Sequence, residues 1–175
     1  MDIMLDLETM GTSNNAAIVA IGAVVFDIGG VRDTFYKKID LCSSSAHGGV
    51  IDASTVVWWL GQNKAAQDEL IGEGRVDLIT ALQDFHEWTL DMTNQYDVNG
   101  IWGNGANFDN VILRNAYRNN QMQEPWNFRQ DRCYRTINTE FGQNITLPYI
   151  GVKHNALDDA FYQANRLILI LNSIP

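Results

Sequence analysis

Asp6 and Glu8 stand two positions apart in an otherwise apolar stretch, Ile3-Met4-Leu5-Asp6-Leu7-Glu8. If that stretch is a β-strand, side chains at i and i+2 leave the same face, so both carboxylates project together. Burying two acids side by side is costly, because desolvation and mutual repulsion both disfavour the charged forms. A divalent cation removes both penalties, and a hard oxygen donor set suits Mg²⁺ or Mn²⁺ rather than Zn²⁺. The competing reading is an edge strand with solvated acids. With 15 Asp and 6 Glu in the chain, an isolated Asp-x-Glu is ordinary.

Three further residues extend the set. Asp109 follows the small-residue segment Gly103-Asn104-Gly105-Ala106-Asn107-Phe108, whose backbone can pass close to a strand or a ligand. A favourable position in the first turn of a helix would explain Asp109 equally well. His154 precedes Asp159 by five residues, but His47 with Asp52 and His86 with Asp91 share that spacing, so context has to discriminate. His47 lies in a Ser/Gly-rich stretch, and His86 lies inside an amphipathic pattern. His154 follows Tyr149-Ile150-Gly151-Val152-Lys153 and directly precedes a helical pattern, and Asp159 has small neighbours in Ala156 and Ala160. Asp158 is the rival acid. It lies about 100° around a helix from Asp159, and alignment with Ala156, Ala160 and Gln163 favours Asp159 as the inward one.

The elements that must position these residues are readable from periodicity. Ile3–Leu7 and the β-branched run Ala17–Phe26 read as strands, Asp27-Ile28-Gly29-Gly30 as a hairpin turn, and Val31–Ile39 as a third strand. Ser43–Gly49 reads as a loop, and Ser54 or Thr55 as the cap of a helix carrying Val57, Trp58 and Leu60. Asp77–Leu90 has Leu78, Ala81, Leu82, Phe85 and Trp88 at helical spacing. A strand over Val98–Trp102, a helix capped by Asn107 and reaching Tyr117, a helix over Asp131–Phe141 stopped by Gly142, and a helix over Asn155–Leu171 follow along the chain. With no internal repeat and no dividing linker, residues 1–175 are expected to form one α/β domain, a mixed sheet with helices packed against it.

Composition narrows the partners. A chain of 175 residues with 46% hydrophobic residues can bury a core unaided. Cys42 and Cys133 lie far apart and outside any CxxC pair, which fits idle thiols in a reducing compartment. Asp2, Asp6 and Glu8 interrupt the first residues, and the apolar run Leu167–Leu171 is far short of a membrane span, so a cytoplasmic location and no membrane contact are expected. Lys plus Arg number 12 against 21 Asp plus Glu, a net charge of −9. A protein that holds nucleic acid mainly by a basic surface should show the opposite balance. Any polyanion handled here needs bound cations to neutralise it.

Taken in order, Leu5-Asp6-Leu7-Glu8-Thr9, Trp102-Gly103-Asn104-Gly105-Ala106-Asn107-Phe108-Asp109 and His154-Asn155-Ala156-Leu157-Asp158-Asp159-Ala160 resemble the DEDDh superfamily of 3′–5′ exonucleases, most of all its small phage and bacterial exoribonucleases. The resemblance spans nearly the whole chain and implies a ribonuclease-H-like fold, an antiparallel three-strand meander extended by parallel strands and flanked by helices. It implies that Asp6, Glu8, Asp109 and Asp159 hold two Mg²⁺ or Mn²⁺ ions, that His154 takes a proton from the attacking water, and that a nucleoside 5′-monophosphate leaves a single-stranded 3′ end. Imidazole suits that role because it titrates near pH ~6.5 in water. Two ions would also bring four positive charges to the place where phosphate must sit.

By the same resemblance, residues after the acid pair meet the terminal nucleotide. These are Thr9 through its hydroxyl, Met10 as a wedge against the base, and Gly11 by allowing close approach. Trp58 or Trp59, Phe108 and Asn107 are candidates for the rest of that pocket. The two tryptophans, adjacent on a helix, are not expected to face it together. Arg129, Arg132 and Arg135 could guide the phosphate backbone or line a subunit contact, and relatives are often homodimers. RNA is favoured over DNA by the resemblance alone. The alternatives are a catalytically weak module that binds 3′ ends and a small-molecule metal phosphohydrolase.

Overall fold

The computed structural model describes residues 1–174. Its strands are β1 (Asp2–Thr9), β2 (Ile18–Asp27), β3 (Gly30–Ile39), β4 (Arg75–Val76), β5 (Gly100–Gly103) and β6 (Asp131–Cys133). They form one sheet in the order β4-β3-β2-β1-β5-β6. β1, β2 and β3 are an antiparallel meander, and β4, β5 and β6 add in parallel to β3, β1 and β5. The helices are α1 (Leu41–Ala46), α2 (Ala53–Leu60), α3 (Lys64–Ile71), α4 (Leu78–Tyr96), α5 (Asp109–Asn119), α6 (Tyr134–Phe141) and α7 (Ala156–Ser173).

The strand period of two assigns the faces. Ile3, Leu5 and Leu7 of β1, with Ile21, Ala23 and Val25 of β2, pack against α4 and α5 through Leu82, Phe85, Ile112, Leu113 and Tyr117. The other face carries Met4, Val24, Phe26 and Trp102 against Ala160, Ala164, Leu167 and Ile168 of α7 and Tyr134 of α6. Asp6 and Glu8 share this second face, beyond the end of its apolar patch. The mixed sheet with helices on both sides is the architecture expected.

Gly22 decides how closely α7 lies on the sheet. It is paired with Asp6 on one side and Tyr36 on the other. A Cβ built on Gly22 would stand 2.2 Å from the carbonyl carbon of Ala156 and 2.3 Å from the amide nitrogen of Leu157. Only a residue without a side chain lets the first turn of α7 rest directly on β2. The close approach sets the start of α7 over the two acids of β1.

Several local expectations are corrected. Leu41–Ala46, expected to be partly loop, is a short helix capped by Asp40, which accepts from the Ser43 amide. α2 begins at Ala53, so Ser54 and Thr55 lie in its first turn and Asp52 is the N-cap residue. α3 has no counterpart in the sequence pattern, because its inward apolar face is only the pair Ala66 and Leu70, with a charged residue, Glu69, buried beside them. Asp131–Cys133 is a strand, and α6 begins only after it. Asp131 is fixed there by Asn110, Arg114 and Trp126, all donating to its Oδ1 at 2.9–3.1 Å. α5 starts from Phe108 without a side-chain cap, and Asn107 is exposed.

Gly22→Ala should cost about 1–3 kcal/mol of folding stability, the usual penalty of a forced overpacked contact. Chemical denaturation checks this. An unchanged midpoint would show that the start of α7 is free to move away from β2.

Candidate active site

Asp6 and Glu8 enter the site from β1 as period-two neighbours, and both are buried. A register irregularity between Glu8 and Thr9 against β2 ends the regular ladder at this point, the kind of local bend that re-aims side chains at a strand end. Asp109 enters from the first turn of α5, where its Oδ1 accepts from the Leu7 amide of β1 at 3.2 Å. Its Oδ2 is buried with no hydrogen-bond partner among the described residues. Asp159 enters from the first turn of α7. Its Oδ2 accepts from the His154 amide at 2.9 Å and its Oδ1 from the Tyr149 hydroxyl at 2.8 Å.

His154 closes the group. Its backbone is left-handed, with φ of 66°, a conformation His visits more readily than β-branched residues. Glu8, His154 and Asp159 each present one ligand atom, and the three atoms lie within 4.8 Å of one another. The imidazole meets the indole of Trp58 edge to face at 4.9 Å between centroids and that of Trp59 at 6.0 Å. His47 and His86 face Asn120 and the Gln123 carbonyl, away from these acids. Asp158 accepts from the Val152 amide at 2.8 Å and is occupied with the loop before α7.

Electrostatics match the crowding. Burial first, then the charges of Asp109, Glu8 and Asp159, hold the Asp6 carboxyl well above the usual carboxylate range, against one hydrogen bond from Gln163 Nε2 at 2.7 Å. Burial, then Asp159, Asp109 and Glu69, push Glu8 up to about 8. Burial pushes Asp109 up to about 7 even though amides and Arg135 favour its charged form. Four converging carboxylates, one with an unpartnered buried oxygen, form a hard-oxygen donor set that fits divalent cations such as Mg²⁺ or Mn²⁺.

Beside the acids lies a cleft of about 420 Å³ whose lining includes Glu8, Thr9, Gly11, Trp58, Trp59 and Phe108. Trp59 is buried and donates Nε1–H to the Thr9 carbonyl at 3.0 Å, whereas Trp58 is half exposed. Contrary to expectation, both tryptophans line this cleft. Their rings meet edge to face 5.0 Å apart, so one forms the wall and the other the rim. Thr9 donates its hydroxyl to the Gly11 carbonyl at 2.8 Å.

Met10 is a correction. It is buried among Ala17, Val19, Trp59 and Ala66 and does not line the cleft, so it is not placed as a wedge. Asn107 is outside the lining, exposed on the loop before α5. Sequence reasoning missed Tyr149 and Gln163 as hydrogen-bond donors to the acids. Gln163 is legible in part, since it lies one turn after Asp159 on the same helical face.

The sheet order and the flanking helices define a class, an α/β fold shared with solved exonucleases. A solved exonuclease X in complex with 5′ overhanging duplex DNA aligns with a TM-score of 0.57 over 99% of this chain and 92% of that one, at 16% identity. A full-length 3′-exonuclease aligns with a TM-score of 0.50 over 97% and 80%, at 13% identity. Within that class, the chain belongs to the family of Rv2179c-like 3′–5′ exoribonuclease domains, whose model matches residues 1–171. It is also 28% identical over 134 residues to an exodeoxyribonuclease of Enterobacteria phage T4, an alignment covering 69% of this chain. The chain spans 57% of that relative's length.

The raised carboxyls give a testable stability profile. The folded protein holds these protons to higher pH than the unfolded chain, where Glu8 has its ordinary value of 4.5 and Asp109 3.8. Stability present below pH ~4 is therefore lost as pH rises through about 7 and 8. Without divalent ions, Tm should fall between pH 5 and pH 8, and Mg²⁺ or Mn²⁺ at pH 8 should restore it. Asp6→Asn should raise the ion-free Tm at pH 8 by roughly 4–8 °C, the effect of about 2 kcal/mol in a chain of this size, and should weaken the response to ions. A Tm indifferent to pH, ions and Asp6→Asn would refute the picture of mutually repelling buried acids.

Proposed function

We propose that this protein removes nucleotides from the 3′ end of single-stranded RNA and releases nucleoside 5′-monophosphates. The observation that carries this reading is the convergence of Asp6, Glu8, Asp109, Asp159 and His154 at one end of the sheet, beside a cleft walled by Trp58, Trp59 and Phe108.

Asp6, Glu8, Asp109 and Asp159 would hold two Mg²⁺ or Mn²⁺ ions. When bound, these supply Lewis-acid charge that stabilises the attacking and leaving oxygens of an in-line displacement. His154, whose ring lies against Trp58 and beside Glu8 and Asp159, accepts the proton of the attacking water. Thr9 and Gly11 form the floor on which the terminal sugar rests, and Trp59 and Phe108 offer aromatic surface to the base. Gln163 keeps Asp6 oriented. The acids also exclude a bare phosphate from the site unless cations accompany it, which ties substrate binding to ion binding.

RNA is preferred in this reading because the family is described by exoribonuclease activity. DNA is the second reading, favoured by the likeness to the phage exodeoxyribonuclease.

Matched 5′-labelled RNA and DNA oligomers, incubated with Mg²⁺, Mn²⁺ or EDTA and resolved by length, test both. The expected outcome is an ion-dependent ladder shortening from the 3′ end of RNA, lost in Asp6→Asn. His154→Ala should lower kcat by about 10²–10⁴-fold with little change in KM, as removal of a proton acceptor does. Asp159→Asn should abolish turnover and Asp158→Asn should retain most of it. Faster shortening of DNA would select the second reading. Tight 3′-end binding without cleavage would replace both with a binding module, and hydrolysis of free nucleotides alone would indicate a small-molecule phosphohydrolase.

A further inference from the structure

Glu69 is a buried carboxylate outside the set just described, carried by α3. It accepts a hydrogen bond from the Tyr36 hydroxyl, and Lys38 Nζ stands 3.4 Å from the same oxygen. Tyr36 and Lys38 are alternate residues of β3, on the face that carries Asp6 and Glu8. The strand register sets Tyr36 beside Gly22 and Asp6, and Lys38 beside Ala20 and Glu8. On its other side the Tyr36 oxygen accepts from Asn155 Nδ2 at 3.1 Å. Asn155 Oδ1 in turn accepts from the amides of Leu157 and Asp158 at 3.1 and 3.0 Å, capping α7.

The donor and acceptor roles in this chain are forced. A carboxylate only accepts, so Tyr36 gives its single proton to Glu69 and keeps lone pairs for Asn155. The amide nitrogen of Asn155 must then face Tyr36, which leaves its oxygen for the helix amides. Any reversal strands a donor against a donor. Capping alone does not require this arrangement, since Ser or Asp would cap α7 as well. The added contact ties the cap to β3 and α3. The residue immediately before the cap is His154, held at a positive φ.

We infer that Glu69 and Tyr36 are positioning residues for His154, acting through Asn155. The relay fixes the 154–155 peptide, holding the imidazole between Trp58 and the carboxylates of Glu8 and Asp159. This inference rests on the reading of His154 as the proton acceptor.

The test is a double-mutant cycle on the full chain, with kcat and KM measured on an RNA oligomer and Tm measured alongside. Tyr36→Phe removes the hydroxyl. Asn155→Ser keeps a capping oxygen but removes the nitrogen that faces Tyr36. Each should lower kcat about tenfold with KM within about twofold, a mid-range coupling for hydrogen-bonded neighbours. The double variant should be no worse than either single one, because both break the same link. Glu69→Gln, which retains an oxygen for Tyr36, should keep most of kcat, whereas Glu69→Leu should match Tyr36→Phe.

Single variants that lose Tm but keep kcat would overturn the inference, showing a structural contact only. Additive losses in the double variant would also overturn it, since no shared relay would exist. If the wild type fails to shorten 3′ ends, or His154→Ala is as active as the wild type, the reading of the site fails instead, a result distinct from either of those.

Discussion

The candidate site depends on how near α7 comes to the middle of the sheet. Gly22 sits between Asp6 and Tyr36 in one cross-strand row, and the backbone of Ala156 occupies the space a side chain there would fill. With the helix seated at that depth, Asp159 in its first turn and Gln163 one turn later both reach the carboxylates of β1. A helix lifted by even one methyl group would separate Asp159 from Glu8 and withdraw the Gln163 hydrogen bond from Asp6. Ala156, Ala160 and Ala164 extend the same economy of size along the buried side of α7. Small residues on the helix and a glycine on the strand are therefore what bring the acids of the candidate site together.

That closeness sets a conflict between folding and function. Packing α7 over β1 excludes water from Asp6 and Glu8, and exclusion of water raises the cost of every charge left there. The protein meets this cost only in part. Gln163 donates to Asp6 and the Leu7 amide donates to Asp109, but one oxygen of Asp109 has no partner among the described residues. A fold optimised for stability alone would place apolar residues at these positions. The strongly acidic chain intensifies the problem, because its net charge of −9 offers no diffuse positive field. Cations at the carboxylates would resolve the repulsion and the attraction of phosphate together.

Much of this arrangement is legible in the order of the amino acids. The alternation of β1 places Asp6 and Glu8 on one face, the β-branched runs give the meander, and the long amphipathic patterns give α4 and α7. The illegible parts share a cause: their determinants are polar or tertiary. α3 buries Glu69 beside an apolar face of only Ala66 and Leu70, so its periodicity carries little signal. β6 is three residues long and is held by side chains from α5 and by Trp126, none of which local propensity can report. Met10 departs from its expected role because the short tertiary cluster of Ala17, Val19, Trp59 and Ala66 covers it, a contact that local sequence does not report. The angular separation of adjacent residues on a helix suggests that the two tryptophans diverge. Large rings meeting edge to face can nevertheless share a cleft when one lines its wall and the other its rim.

The adjacent acids Asp158 and Asp159 show how one short sequence divides its work. Helical geometry turns them about 100° apart, and each meets a different part of the loop before α7. Asp158 receives the Val152 amide, and Asp159 receives the His154 amide and the Tyr149 hydroxyl. Tyr149 to His154 is thus strapped to the first turn of α7 at three points, all of them acceptors that the helix dipole favours at that end. The strap sustains a left-handed backbone at His154 that would relax in a free loop. It also means that Asp159 carries two duties at once. The oxygens that hold the loop are the same oxygens that face the shared acid cluster, so any cation drawn to Asp159 is drawn to a carboxylate whose orientation the histidine loop already fixes.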